Sequence, residues 1–450
     1  MKKMTSGSPA KLIIAFAIPL LIGNIFQQLY SMADMYIVGH TISADALGAI
    51  GCTGSISGLL ISFAQGLTSG FCVLVSQHFG AGNRQKMKQS FVTGILLSVA
   101  AIAVLTVIGC TFLQDFMRLI NTRPELFDDA HKYISVVMAG LGATVLYNFF
   151  AGILRSLGDS KRPLFVLIGA CVVNIVLDYL FIMGFGMGVR GAALATVISQ
   201  LLSALACLFF ILKEEPEFRL KIRELRTTWK AAWEHIAIGM PMGFQWALLS
   251  IGQLIMQSAL NSLEVAAVTA FSAAAKIDML ALMPSFSFGS CMSTYVAQNY
   301  GAGKLVRIGK GMRQCCAMSL TCCGLLGVVN ALIGNRFAAF FVGAGEMDVI
   351  ALIHTYLKIN GSMYFVHALL MIYRNAVQGL GRSVATMMAG FMELVMRFIT
   401  AFVLIKHFGF TGACFSSPLS WVAAAVPLLI SFHVTMKRQV EDQNKEISAA

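Results

Sequence analysis

Four stretches of this chain, Phe91–Phe112, Pro163–Phe185, Gly191–Leu212 and Ala385–Ile405, carry at most one or two ionisable groups each. Each is close to the ~20 residues that a helix needs to cross about 30 Å of hydrocarbon. Lipid offers no hydrogen-bond partner to a peptide group, so such stretches fold as helices, and the two-residue alternation of a barrel is absent. The rest of the chain follows suit: 57% of its 450 residues are apolar and 12% charged, with a mean hydropathy of +0.76. No soluble core has that composition. The pattern predicts an all-α integral membrane protein with twelve transmembrane helices, near 12–38, 48–78, 91–113, 133–155, 163–185, 190–212, 235–260, 268–298, 312–335, 352–378, 384–405 and 410–435. Met1-Lys2-Lys3 precedes an apolar run too long for a secretory signal and without a small-residue cleavage site, so the first helix is expected to be retained.

The net charge of +12 needs a reason. Sorted by loop, about 24 of the Lys and Arg residues fall on the side of the two termini and about 7 on the other, which predicts both termini in the cytoplasm. Lys2, Lys3, Arg84, Lys86, Lys88, Lys161, Arg162, Lys304, Arg307, Lys310, Arg313, Lys437 and Arg438 all lie on the basic side. That bias accounts for the charge without nucleic acid, for which no basic face with interleaved aromatics exists. The eleven cysteines fall nearly all within spans, read as small packing residues with no metal site.

The chain also repeats itself. Gln77-His78-Phe79-Gly80-Ala81-Gly82 recurs as Gln298-Asn299-Tyr300-Gly301-Ala302-Gly303, 221 residues on. Pro19 matches Pro241, Gly158 with Ser160 matches Gly381 with Ser383, and Gly188 with Gly191 matches Gly409 with Gly412, at nearly the same offset. An internal duplication follows. Each half holds six spans, an even number, so the two six-helix lobes form a parallel internal repeat with a cavity expected between them. The expected domains are an N-terminal lobe at 1–212, a cytoplasmic linker at 213–232 with mixed charge, a C-terminal lobe at 233–436 and a cytoplasmic tail at 437–450. No phosphate-binding loop of the form G-x-x-x-x-G-K-[ST] occurs, so ATP is not expected to drive this chain. Pro19, Pro241, Pro284 and Pro418 fall inside spans, where they break a ladder bond and permit bending.

A carboxylate near the bilayer centre costs roughly 2.5 to 3.5 kcal/mol. The first half has two, Asp34 and Asp178. Asn174 is four residues before Asp178 and Gln27 seven before Asp34, so each pair shares a helix face. Tyr133 and Thr196, near the outer ends of their spans, fall at a depth similar to Asp178 and complete an oxygen-rich set suited to a proton or sodium. The second half lacks this set and carries Lys276, Asp278, Arg374, Glu393 and Arg397. Glu393 and Arg397, four apart and acid first, are read as a structural ion pair. Tyr30, Tyr36, Phe149, Phe150, Trp246 and Met256 are candidate walls of a substrate cavity, soft and aromatic.

Asp34-Met35-Tyr36-Ile37-Val38-Gly39, the repeated Gln with Gly-Ala-Gly, Arg155-Ser156-Leu157-Gly158-Asp159 and Asn174-x3-Asp178 together resemble the multidrug and toxic compound extrusion (MATE) family, over essentially all twelve spans. The resemblance implies an antiporter of the plasma membrane, bacterial inner membrane included. It would export amphipathic, often cationic, small molecules in exchange for protons or sodium, without other cofactor, and is expected to act as a monomer. It also implies that Gln27, Asp34, Tyr133, Asn174, Asp178 and Thr196 form the ion-linked network. Relatives with a sodium site in the second lobe carry acids where this chain has Leu249 and Leu369, which favours proton coupling through Asp34 and Asp178. The alternative is a flippase for a lipid-linked precursor, which would call on Lys276, Arg374 and Arg397 for phosphate. No H-E-x-x-H, nucleophile elbow or convergent Ser/His/Asp set suggests an enzyme.

Overall fold

The structure is a computed structural model that describes residues 3–119, 122–219, 224–343 and 345–449. Lys2, placed above on the basic side, and residues 220–223 of the expected linker lie outside them. The described residues form helices and turns with no strand among them. In chain order the α-helices are α1 Pro9–Thr41, α2 Ala44–Gly80, α3 Arg84–Thr111, α4 Leu113–Leu119, α5 Pro124–Ala139, α6 Leu141–Ser156, α7 Lys161–Tyr179 and α8 Val189–Glu214. There follow α9 Trp229–Leu260, α10 Val265–Gly301, α11 Leu305–Val342, α12 Met347–Gly361, α13 Tyr364–Gly379, α14 Ser383–Ile399, α15 Ile405–Cys414 and α16 Ser416–Ala449. Short polar residues start several of them: the Ser43 hydroxyl accepts from the Ala46 amide at 3.0 Å, and the Asn83 side chain from that of Lys86 at 3.0 Å.

Among the described residues, ten stretches are long and apolar enough to cross a membrane, and the α5–α6 pair, bent by 46°, makes an eleventh. The pair α12–α13 occupies the repeat-equivalent place and is the twelfth. The fourth and tenth spans are thus broken helices, where the sequence pattern shows continuous ones.

Backbone geometry repeats with the sequence. Positive φ recurs at Gly82 and Gly303 (71° and 69°), Gly158 and Gly381 (83° and 78°), and Gly188 and Gly409 (57° and 54°). A π-helical turn follows α7 at Leu180–Gly184 and another follows α14 at Thr400–Leu404. Each half is therefore built to the same irregular pattern, as duplication requires.

Packing divides the chain inside helices, not at the 213–232 segment. Residues 22–247 form one compact unit, and residues 4–21 pack with 248–450 in the other. The divisions fall after Pro19 in α1 and after Pro241 in α9, within about one helical turn of equivalent points of the repeat. In the second unit the segment before α1 is held by the repeated motif: Gln298 Oε1 accepts from the Met4 amide at 2.8 Å, and Lys304 Nζ and Arg307 Nη1 donate to the carbonyls of Thr5 and Gly7, each at 2.8 Å. Residues 215–218, at the start of the 213–232 segment, are also docked. Arg84 pairs with Glu215 and Glu217 at 3.2 and 3.0 Å, and Phe218 is buried and stacked on Phe91 at 4.3 Å.

In the first unit, α2 and α9 meet through two glycine pairs of four-residue spacing, Gly66/Gly70 and Gly239/Gly243. A Cβ on Gly70 would stand 2.5 Å from Gly239 Cα, and one on Gly66 2.3 Å from the Met242 carbonyl oxygen. Small residues let helix backbones touch where no hydrophobic force drives helix association. Gly70→Leu is expected to cost about 1–3 kcal/mol or more by overpacking, read as a lowered unfolding midpoint in detergent. An unchanged midpoint would show that α2 and α9 do not depend on this approach.

Candidate functional site

The polar groups inside the first unit gather at one place. On α7, Asn174 and Asp178 are both fully buried. With its amide oriented to satisfy both ends, Asn174 donates to Asp178 Oδ2 at 3.1 Å and accepts from the Thr196 amide on α8 at 3.3 Å. The carboxyl of Asp34, on α1, lies within hydrogen-bonding reach of that of Asp178. Each of the two keeps one buried oxygen, Oδ1, with no partner. The Tyr30 hydroxyl, one turn before Asp34, meets Thr196 Oγ1 at 3.5 Å. Tyr133, on α5, stands near both carboxyls.

Apolar packing holds these helices in place. Ile37 and Val38 on α1, Ile182 in the π turn, and Val189 and Ala192 on α8 form one buried cluster, with Tyr133 and Ile175 packed against it. These residues sit within about a turn of Asp34, Asn174, Asp178 and Thr196, so packing fixes the helices that carry them. The π turn begins two residues after Asp178. Its recurrence in the second half makes it a property of the fold and not of the carboxyls.

Five of the six residues expected in the ion-linked network, Asp34, Tyr133, Asn174, Asp178 and Thr196, come together here. Gln27 does not: it is exposed, and only its backbone carbonyl is engaged, by Ser31 at 3.1 Å. Tyr30 stands in its place. The sequence carried the signal, since Tyr30 and Asp34 are four apart and share a helix face as Asn174 and Asp178 do.

The expected cavity residues are scattered. Phe149 is fully buried against Gly94, and Phe150 is 6% exposed in the same core, so both are packing residues of the first unit and not cavity walls. Met256 is likewise buried, with Leu260, Ala401 and Ile405, in the second unit. Tyr36 is 60% exposed and stacks on His40 at 3.9 Å, and half-buried Trp246 lies over Gly66.

The ion pair expected between Glu393 and Arg397 is not formed. Glu393 on α14 pairs instead with Arg374 on α13, both buried. The four-residue rule counts neighbours along one helix and is blind to a better partner on the next. Also in the second unit, Asp278 on α10 is buried and accepts from the hydroxyls of Tyr364 at 2.5 Å and Tyr356 at 3.4 Å, and Asn330 donates to Tyr364 at 2.9 Å. Sequence reading named Asp278 but had no means to find tyrosines 78 and 86 residues away. No group of three or more His, Cys, Asp or Glu that could hold a metal ion occurs among the described residues.

Comparison with known proteins agrees with this architecture. The family model described as MatE matches residues 19–180 and again 241–403, one match per repeat. The probable multidrug resistance protein YpnP of Bacillus subtilis is 27% identical over 359 residues, 79% of each chain. A protein of Shewanella oneidensis named as an FAD transporter is 23% identical over 425 residues, 93% of each. A crystal structure of a MATE protein in complex with MaL6 superposes with a TM-score of 0.89 at 21% identity, over 97% of this chain and 98% of that one.

Proposed function

The chain belongs to the multidrug and toxic compound extrusion (MATE) family of transporters, and from that premise we propose that it exports amphipathic, often cationic, small molecules in exchange for protons at the Asp34–Asp178 carboxyl pair. One observation carries the choice of ion: the two carboxyls are within hydrogen-bonding reach of each other. A hydrogen bond between carboxyls needs a proton on one of them, whereas a sodium ion would stand between the oxygens and hold them apart. The free Oδ1 atoms leave room for a second proton.

Export then follows from differential binding. With the pair protonated, its burial costs little; with the pair charged, the site must open to water or take up a compensating cation. A cationic solute and a proton thus compete for the same negative charge. The naming of YpnP as a probable multidrug resistance protein supports a drug-like cargo, and the FAD transporter warns that the family carries other solutes. The Lys and Arg bias supports both termini in the cytoplasm, and the missing G-x-x-x-x-G-K-[ST] loop supports transport without ATP; we read the chain as an inner-membrane monomer.

Purified protein in weakly buffered detergent, with a pH-indicating dye, gives the test. Adding ethidium is expected to release about one proton per protein, equally with and without sodium. Release that appears only when sodium is absent, or no release despite measurable ethidium binding, overturns proton coupling.

A further inference from the structure

The second unit contains a charge that its own residues leave unanswered. Of its buried carboxyls, Asp278 is occupied by two tyrosine hydroxyls and Glu393 by Arg374. Arg397, on α14, has no ion pair and no hydrogen bond among the described residues, and its Nε is buried without a partner. Its charged or polar neighbours are the Arg374 guanidinium, which repels it, and the ring hydroxyl of Tyr356. The stem crosses α9 at the one kind of residue that leaves space for it: a Cβ on Gly252 would stand 2.6 Å from Arg397 Cδ.

Such a group is costly. An arginine at the middle of a membrane helix costs roughly 2.5 to 3.5 kcal/mol on the insertion scale. Arg397 is about 21 Å along the span from Ser383 and about 12 Å before Ile405 by helical rise, and its stem lies against Gly252 of α9. A guanidinium fork held in place, half-buried and lacking an anion matches a planar oxyanion in shape and charge.

We propose that Arg397 binds an oxyanion carried by the transported compound, so that the cargo bears a carboxylate or phosphate group besides its apolar body. The proposal rests on reading the chain as an exporter and assigns to the second unit a task complementary to the carboxyl pair of the first. The oxyanion has two sources, the acid group of an amphipathic solute or the phosphate of a lipid headgroup. The solute is favoured because the stem of Arg397 lies against Gly252 of α9 and its Nε is buried within the unit.

Rhodamine B, which has a free carboxylate, and its ethyl ester, which has none, form a matched pair of probes, to be titrated against purified protein in detergent. Wild type is expected to bind the free acid more tightly than the ester. Arg397→Gln should weaken rhodamine B about tenfold or more and leave the ester within about twofold, with Arg397→Lys in between because a point charge replaces a fork. Gly252→Ala, which displaces the side chain and keeps the charge, should also weaken only the free acid. A third arm follows fluorescent phosphatidylglycerol across vesicles. If Arg397→Gln stops its movement while both dyes bind as before, the oxyanion is a lipid phosphate. Equal weakening of both dyes, as from a structural arginine, or no change in any arm, overturns the proposal. Wild-type vesicles that move neither dye under a pH gradient sink the exporter reading, and the acid-over-ester preference remains readable from binding.

Discussion

Asp178→Asn is expected to slow proton-coupled export by about a hundredfold or more, equal to about 2.7 kcal/mol, while the protein stays folded in the membrane. Asparagine has the shape of a protonated carboxyl and cannot lose its charge-neutral state. In the variant the amide donates permanently to Asp34, so the pair is locked in the arrangement that the proton otherwise creates and releases. Asn174 keeps an oxygen to donate to. Asp178 faces another acid and not a counter-charge, so making it permanently neutral while keeping its hydrogen bonds leaves the unfolding midpoint unchanged or raised. Vesicles with an imposed pH gradient give the rate, and a thermal melt in detergent gives the stability. Export at the wild-type rate would show that Asp178 carries no proton in the cycle; a lowered midpoint would show that the loss is one of folding.

Arg374→Met alone is expected to destabilise by about 3–5 kcal/mol, because it strands the Glu393 carboxylate, 3% exposed, without a counter-charge. The double variant Arg374→Met/Glu393→Leu should recover most of that loss. Two charges taken from water and paired are often worth no more than the apolar residues that could replace them, and only the half-broken pair is expensive. Unfolding midpoints of wild type, single and double variants decide the matter. A double variant as unstable as the single would mean that Arg374 acts through something other than Glu393. The double variant should also release a proton on ethidium addition as wild type does, since the pair lies in the unit without the Asp34–Asp178 site.

Features that depend on spacing along one helix were legible in the sequence. The apolar runs gave the spans, the Gln-x-x-Gly-Ala-Gly recurrence gave the repeat, and the unusual cost of acid in lipid singled out Asp34 and Asp178. What escaped depends on which helices stand side by side. Glu393 found Arg374 on the neighbouring helix in preference to Arg397 on its own, and Asp278 found two tyrosines on two different helices. Phe149 and Phe150 read as a soft aromatic wall, yet Gly94 opens the space that takes Phe149 into the core. Glycine leaves no side chain to announce such an opening, so the partner is invisible without the fold. Gln27 failed for a smaller reason. At seven residues from Asp34 it shares the face but stands two turns away, about 10.5 Å by helical rise, whereas Tyr30, at four, is one turn away.

The two opening helices have borrowed homes: residues 4–21 pack with the later half of the chain and 229–247 with the earlier. A solitary ancestral repeat would have had no segment of its own to fill that berth. Its simplest filling is the same arm from a second copy, a reciprocal exchange that closes a two-fold dimer. Gene fusion would then have frozen an arm exchange already in place, and either half of today's chain, made without the other, would lack the piece that completes it.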